Sequence, residues 1–178
     1  PSVISDKWYD KPVQNRLKSK IKLIYIGRIR KEKGIFSLVK LLEDTELNVE
    51  LTILGNEQKV FLENRFKIIE KGFIEDEIEL IKEYDNSNIV IVPSFAESYS
   101  KVIDEALART RPVIIFNEIE YLSKKRKGVY VSERNTSSLN YRIKSIISNM
   151  NSIDLEIKKN KKINEKTYIA NLNKILER

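Results

Sequence analysis

Neither cysteine nor histidine occurs in the 178 residues, and glycine, proline, methionine and tryptophan are scarce at five, four, one and one. Without cysteine there is no disulfide. Without either residue the usual zinc ligands and the usual general base are gone. Any chemistry must run on carboxylates, Lys and Arg, hydroxyls and backbone dipoles. No apolar run approaches the roughly 20 residues that span a bilayer, and no secretory leader is recognisable, so the chain reads as soluble and cytoplasmic. A nucleic-acid motif and an aromatic-interleaved basic strand are missing, so nucleic acid is not an expected partner. What remains is 41% hydrophobic and 33% charged residues, enough for the core and surface of one domain. The net charge of +7 reads either as a solvated lysine-rich surface or as affinity for phosphate-bearing ligands or an anionic membrane surface.

The rest of the chain is organised around residues 89–116. Ile89-Val90-Ile91-Val92 is a continuous β-branched run, the pattern of a parallel strand buried on both faces. Pro93-Ser94 stops it. A polar loop through Glu97 and Ser100 then opens a helix with Val102, Ile103, Ala106 and Leu107 at helical spacing, and Pro112 introduces a second buried run, Val113-Ile114-Ile115-Phe116. A loop leaving the carboxyl end of a parallel strand is where α/β sheets bind ligands. Glu97 and Glu105 bracket that helix start.

Upstream, residues 1–20 lack periodicity and read as an extended lead-in or interdomain linker. Ile21–Ile26 is a strand closed by Gly27-Arg28, and GRIRKEKG leads into a helix with Ile35, Leu38, Val39 and Leu42 on one stripe. A strand, a Gly- and cation-containing loop and a helix start can hold phosphate, although such a loop reads equally as a solvated turn. Val49–Leu54 is a further strand. A helix over about Gln58–Asn64, a short strand near Lys67–Glu70 and an acidic helix with Ile78, Ile81 and Tyr84 follow. After residue 116 come a strand over Gly128–Ser132 and a helix capped by Asn135 or Thr136, with Leu139, Ile143, Ile146, Ile147 and Met150 inward. Strands alternating with helices predict an α/β, Rossmann-like parallel sheet covered on both faces. It is placed at residues 21–152, with a helical, Lys-rich tail over 153–178.

Two motifs in order on this frame resemble those of the C-terminal, donor-binding domain of group 1 glycosyltransferases, retaining enzymes of the GT-B fold. Gly27-Arg28-Ile29-Arg30-Lys31-Glu32-Lys33-Gly34 matches G-R-x-x-x-E-K-G in full. Residues 93–114 keep the frame of P-S-x-x-E-G-F-G-L-x-x-x-E-A-x-A-x-G-x-P-V-I without a gap, including the E-x-x-x-x-x-x-x-E spacing of Glu97 and Glu105. The likeness implies one half of a GT-B fold and sugar transfer, of hexosyltransferase type, from a nucleoside-diphosphate sugar to a hydroxyl of a glycan or glycolipid. It implies no metal or other cofactor, and an acceptor-binding N-terminal domain lying outside this chain.

By the same resemblance, Arg28 and Lys33 grip the donor diphosphate, Glu97 reaches sugar hydroxyls, and Glu105 accepts from the ribose. Gly27, Ser98, Tyr99 and the backbone near Ser100 and Lys101 complete the nucleotide-sugar site, and Phe73 and Ile74 flank the base. The family's Gly-Phe-Gly-Leu is Ser98-Tyr99-Ser100-Lys101 here. Both glycines are replaced, so the sugar pocket must differ in shape. Lys101 adds a cation, and Ser100 is placed to cap the helix. The cationic runs at 124–127 and 158–162 read as solvated charge or as a peripheral contact with anionic lipid. Two other functions fit the same frame: a nucleotide-sugar epimerase, and a non-catalytic binding or scaffold module.

Overall fold

The computed structural model describes residues 3–14, 20–56 and 64–162. Six strands, β1 (Ile21–Ile26), β2 (Val49–Leu54), β3 (Lys67–Glu70), β4 (Ile89–Val92), β5 (Val113–Phe116) and β6 (Val129–Ser132), form one sheet in the order β3-β2-β1-β4-β5-β6. Every neighbouring pair runs parallel. The helices are α1 (Ile35–Glu43), α2 (Glu77–Asn86), α3 (Lys101–Ala108), α4 (Thr136–Ser148) and α5 (Met150–Ile157).

The period-two alternation of the strands divides the core between the faces. Leu23 and Tyr25 of β1, Ile89 and Ile91 of β4, and Ile114 and Phe116 of β5 pack with α1, α4 and α5. Ile24, Val90, Val92, Val113 and Ile115 pack with α2 and α3 on the other side. Residues of β4 and β5 are buried at every position, which is why both read as unbroken apolar runs. The strand order reverses between β1 and β4. The loops leaving their carboxyl ends therefore splay to opposite sides and open a crevice there.

Three expectations need correction. Residues 3–14 are not merely an extended lead-in. A 3₁₀ turn at Asp6–Tyr9 buries Trp8, and Ile4 and Trp8 both belong to the second core cluster. Trp8 stacks edge-on against Tyr84 at 5.1 Å, and its indole N–H donates to Glu77 at 2.8 Å. Arg109 and Arg111, at the end of α3, clasp the same segment. Arg109 donates to the carbonyls of Trp8, Asp10 and Lys11 and to both oxygens of Asp85, and Arg111 donates to the carbonyls of Val13, Tyr84, Asp85 and Arg109. Second, the boundary drawn between residues 152 and 153 falls inside α5, whose Ile153 and Ile157 are core residues. Third, the last apolar stripe is not one helix: α4 ends at Ser148 and α5 restarts at Met150 across Asn149. The helix expected over 58–64 lies almost wholly outside the described residues, as do positions 163–178 of the tail.

Candidate active site

The two signature loops meet at the crevice. After β1, Tyr25 donates its hydroxyl to the Arg28 carbonyl at 2.6 Å and fixes the turn. A 3₁₀ turn at Lys31–Lys33 follows, ended by Gly34 at φ 71°. A Cβ on Gly34 would lie 1.8 Å from the carbonyl oxygen of Pro93, so only glycine lets the loop after β1 close onto the loop after β4. Phe95 N–H then donates to the Glu32 carbonyl at 3.1 Å. Beside this seam, Lys33 Nζ lies 2.7 Å from Glu97 Oε1, which also accepts from Ser94 Oγ at 2.8 Å.

A cavity of about 280 Å³ opens against this unit, walled by Gly27, Arg28, Lys33, Glu97, Ser100 and Lys101 among others. Arg28 is exposed, and its guanidinium forms no ion pair among the described residues. Lys33 and Lys101 each hold a carboxylate, Glu97 and Glu105 respectively. Three cations and one wall carboxylate around a single cavity suit an anion with hydroxyl groups attached. Among the described residues, no cluster of three or more acidic side chains could hold a metal ion.

Of the residues expected at the site, Gly27, Arg28, Lys33, Glu97, Tyr99, Ser100 and Lys101 line the cavity. Ser98, Phe73, Ile74 and Glu105 do not. Ser98 is exposed on the loop. Phe73 is 76% exposed, whereas Ile74 packs partly into the second core cluster. Glu105 stands one side chain behind the wall. It is 4% exposed, accepts from Tyr84 Oη at 2.7 Å and pairs with Lys101 Nζ at 3.2 Å. Burial raises its pKa, and the bonds from Tyr84 and Lys101 oppose that rise. Ser100 occupies the N-cap position of α3, but its side chain accepts no cap hydrogen bond.

Sequence reasoning missed the supports. Tyr25 and Ser94 line the cavity, and their one available signal was position, at the ends of strands that carry the motifs. A second set comes from beyond β5, where residues 117–123 form a 3₁₀ segment with Ile119 and Leu122 buried. From it Tyr121 donates its hydroxyl to the Glu97 carbonyl. Arg134 donates to the Pro93 carbonyl at 3.0 Å and to Glu118, and lies over the rings of Phe95 and Phe116 at 4.0 and 4.4 Å. Arg126 pairs with Asp104 at 3.2 Å and lies over Tyr99, whose hydroxyl donates to the same carboxylate. Side chains thus hold the loop in which both motif glycines are replaced.

Comparison with known proteins bears on the family and the fold. The model of a family described as glycosyl transferases group 1 matches residues 6–169. An uncharacterized glycosyltransferase of Methanocaldococcus jannaschii is 27% identical over 141 residues, which are 71% of this chain and 35% of that protein. Sucrose-phosphate synthase of Thermosynechococcus elongatus superposes with a TM-score of 0.76 at 18% identity, over 99% of this chain and 51% of that one. HepE of Anabaena, solved with UDP and glucose, gives 0.71 at 15% identity, over 99% and 55%. The chain spans about half the length of these solved proteins and about a third of the archaeal relative.

Proposed function

The chain belongs to the family of group 1 glycosyl transferases, and from that premise we propose that it is the donor-binding half of a retaining, metal-independent enzyme. The donor is a nucleoside-diphosphate sugar, and the acceptor is a hydroxyl of a glycan or glycolipid bound by a second domain. The observation that carries this reading is the convergence of Arg28, Lys33 and Lys101 with Glu97 on one cavity at the reversal point of the sheet. The UDP and glucose bound by the structurally similar HepE are the kind of ligand such a cavity would take.

On this reading the diphosphate lies along Lys33 and Arg28, whose guanidinium forms no ion pair among the described residues. Negative charge grows on the diphosphate as the bond to the sugar breaks, and fixed cations stabilise that charge more than they stabilise the intact donor. Glu97, steadied by Ser94 and Lys33, accepts from sugar hydroxyls and sets the sugar over the diphosphate. Transfer would occur in the cleft formed with the second domain. The two lysine-rich runs would supply a peripheral contact with anionic lipid.

Titrating the chain with UDP, GDP and ADP by calorimetry tests the proposal. One of the three should bind, and Arg28→Ala with Lys33→Ala should abolish that binding. Failure of all three at about millimolar concentration, far weaker than the affinities of ordinary ligand sites, would overturn it.

A further inference from the structure

Arg126 belongs to the cationic run at 124–127, yet it does not join its neighbours in solvent. Lys124, Lys125 and Lys127 are exposed, whereas Arg126 is half-buried. Its Nη2 lies 3.2 Å from Asp104 Oδ1, and its Nη1 donates to the carbonyl of the buried Leu122 at 3.0 Å. The same guanidinium covers the Tyr99 ring, 5.4 Å from its centroid.

The motif that the chain resembles leaves position 104 open and carries phenylalanine where Tyr99 stands. Here Asp104 is a buried carboxylate in the first turn of α3, and its second oxygen accepts from the Tyr99 hydroxyl. The helix dipole alone would favour a carboxylate there, but the dipole requires neither the hydroxyl nor the guanidinium. Taking an ion pair out of water gains little stability. What this pair fixes is a side chain, because the carboxylate holds the hydroxyl end of Tyr99 and the guanidinium holds one face of its ring. Of the three residues only Tyr99 lines the cavity. It does so two residues from Glu97, whose carbonyl is held by Tyr121 of the same segment that leads to Arg126. Residues 117–126 thus grip the loop at two points, on the side of the cavity where Glu97 stands.

We propose that Asp104 and Arg126 are positioning residues for the sugar end of the donor, and that they act through Tyr99, whose ring walls the sugar beside Glu97. This rests on the donor-binding reading above and deepens it. The loop has lost both motif glycines, and this interlock gives it a defined shape in their place. A ring already held before the sugar arrives need not be ordered on binding.

The test is calorimetry on the full chain with UDP, GDP and ADP, and with UDP-glucose, GDP-mannose and ADP-glucose. Arg126→Ala should weaken the bound nucleotide sugar up to about tenfold, the scale of ordering one side chain on binding, and leave the matching nucleotide unchanged. Arg126→Lys keeps the ion pair without the flat cover over the ring and should recover part of the loss. Tyr99→Phe keeps the ring, removes only its tie to Asp104, and should show the same split to a smaller degree. Thermal unfolding checks that each variant is folded. Unchanged nucleotide-sugar affinity in both Arg126→Ala and Tyr99→Phe overturns the inference. Equal losses for nucleotide and nucleotide sugar also overturn it, because the interlock would then serve the fold alone. A parent chain that binds a nucleotide but none of the nucleotide sugars refutes this inference and spares the nucleotide site, whereas one that binds neither refutes the donor-binding reading with it.

Discussion

Glu118 and Glu105 carry pKa shifts of opposite sign, and their consequences for stability differ accordingly. Hydrogen bonds from Arg134 hold Glu118 below its usual value of 4.5. The folded state therefore gains from this carboxylate above that value, and the gain disappears as pH falls through the depressed one. Burial holds Glu105 above the usual value, so its contribution declines as pH rises through the interval between the two. Glu118→Gln should accordingly lower the melting temperature at neutral pH and match the parent chain in acid, as thermal unfolding at several pH values would reveal. A gap that persists in acid would mean the Arg134–Glu118 pair is not the source. The residues of the wall were legible where a motif named them, as with Arg28, Lys33 and Glu97. Their supports were not. Tyr84, Tyr121 and Arg134 sit in unrelated segments and reach the site only through the fold. Phe73, expected beside the base, has a ring that is 76% exposed and off the cavity wall.

The two signature loops behave as one element, and Gly34 is the reason. At φ 71°, with the Pro93 carbonyl where a side chain would begin, alanine must pay for both left-handed backbone and a collision with an atom that cannot swing aside. Gly34→Ala should cost about 3 kcal/mol, the upper range for a single substitution, and should also weaken nucleotide binding, since Glu97 depends on the same seam. Urea unfolding together with the nucleotide titration would check both effects; a fully stable variant would show that the loops do not need the contact. The helices and strands were largely visible beforehand. Ile89–Val92 and Val113–Phe116 declared themselves through unbroken β-branched and aromatic runs, and the stripe at Ile35, Leu38, Val39 and Leu42 matches the buried face of α1. Residues 3–14 escaped notice because a single tryptophan in a 3₁₀ turn has no period to detect.

At the scale of the whole molecule, runs that are distant in sequence come together. Ile157 of α5 sits where a Cβ on Gly128 would lie, and the Asn160 side chain both accepts from and donates to the backbone of Lys127 at 2.9 and 2.7 Å. Lys127 and Lys159 therefore lie on one surface, at the amino end of β6. Lys127 and Lys159 share Glu156, while the ammonium groups of Lys124, Lys125, Lys158 and Lys161 have no partner among the described residues. Sedimentation with vesicles tests whether this surface meets lipid. Binding should require anionic headgroups, fall steeply with added salt and drop in Lys158→Glu with Lys161→Glu; salt-insensitive or absent sedimentation retires the membrane contact. The parallel order of the sheet followed from alternation of strands and helices, but the meeting of these two runs did not, because it depends on how α5 turns at Asn149.

The bond from Phe95 N–H to the Glu32 carbonyl has one more effect. It sutures the floor of the crevice, so the two banks cannot gape apart to admit a bulkier guest. Selection by size must then be exercised at the rim, where an exposed side chain such as Ser98 can be exchanged without unpicking the seam beneath.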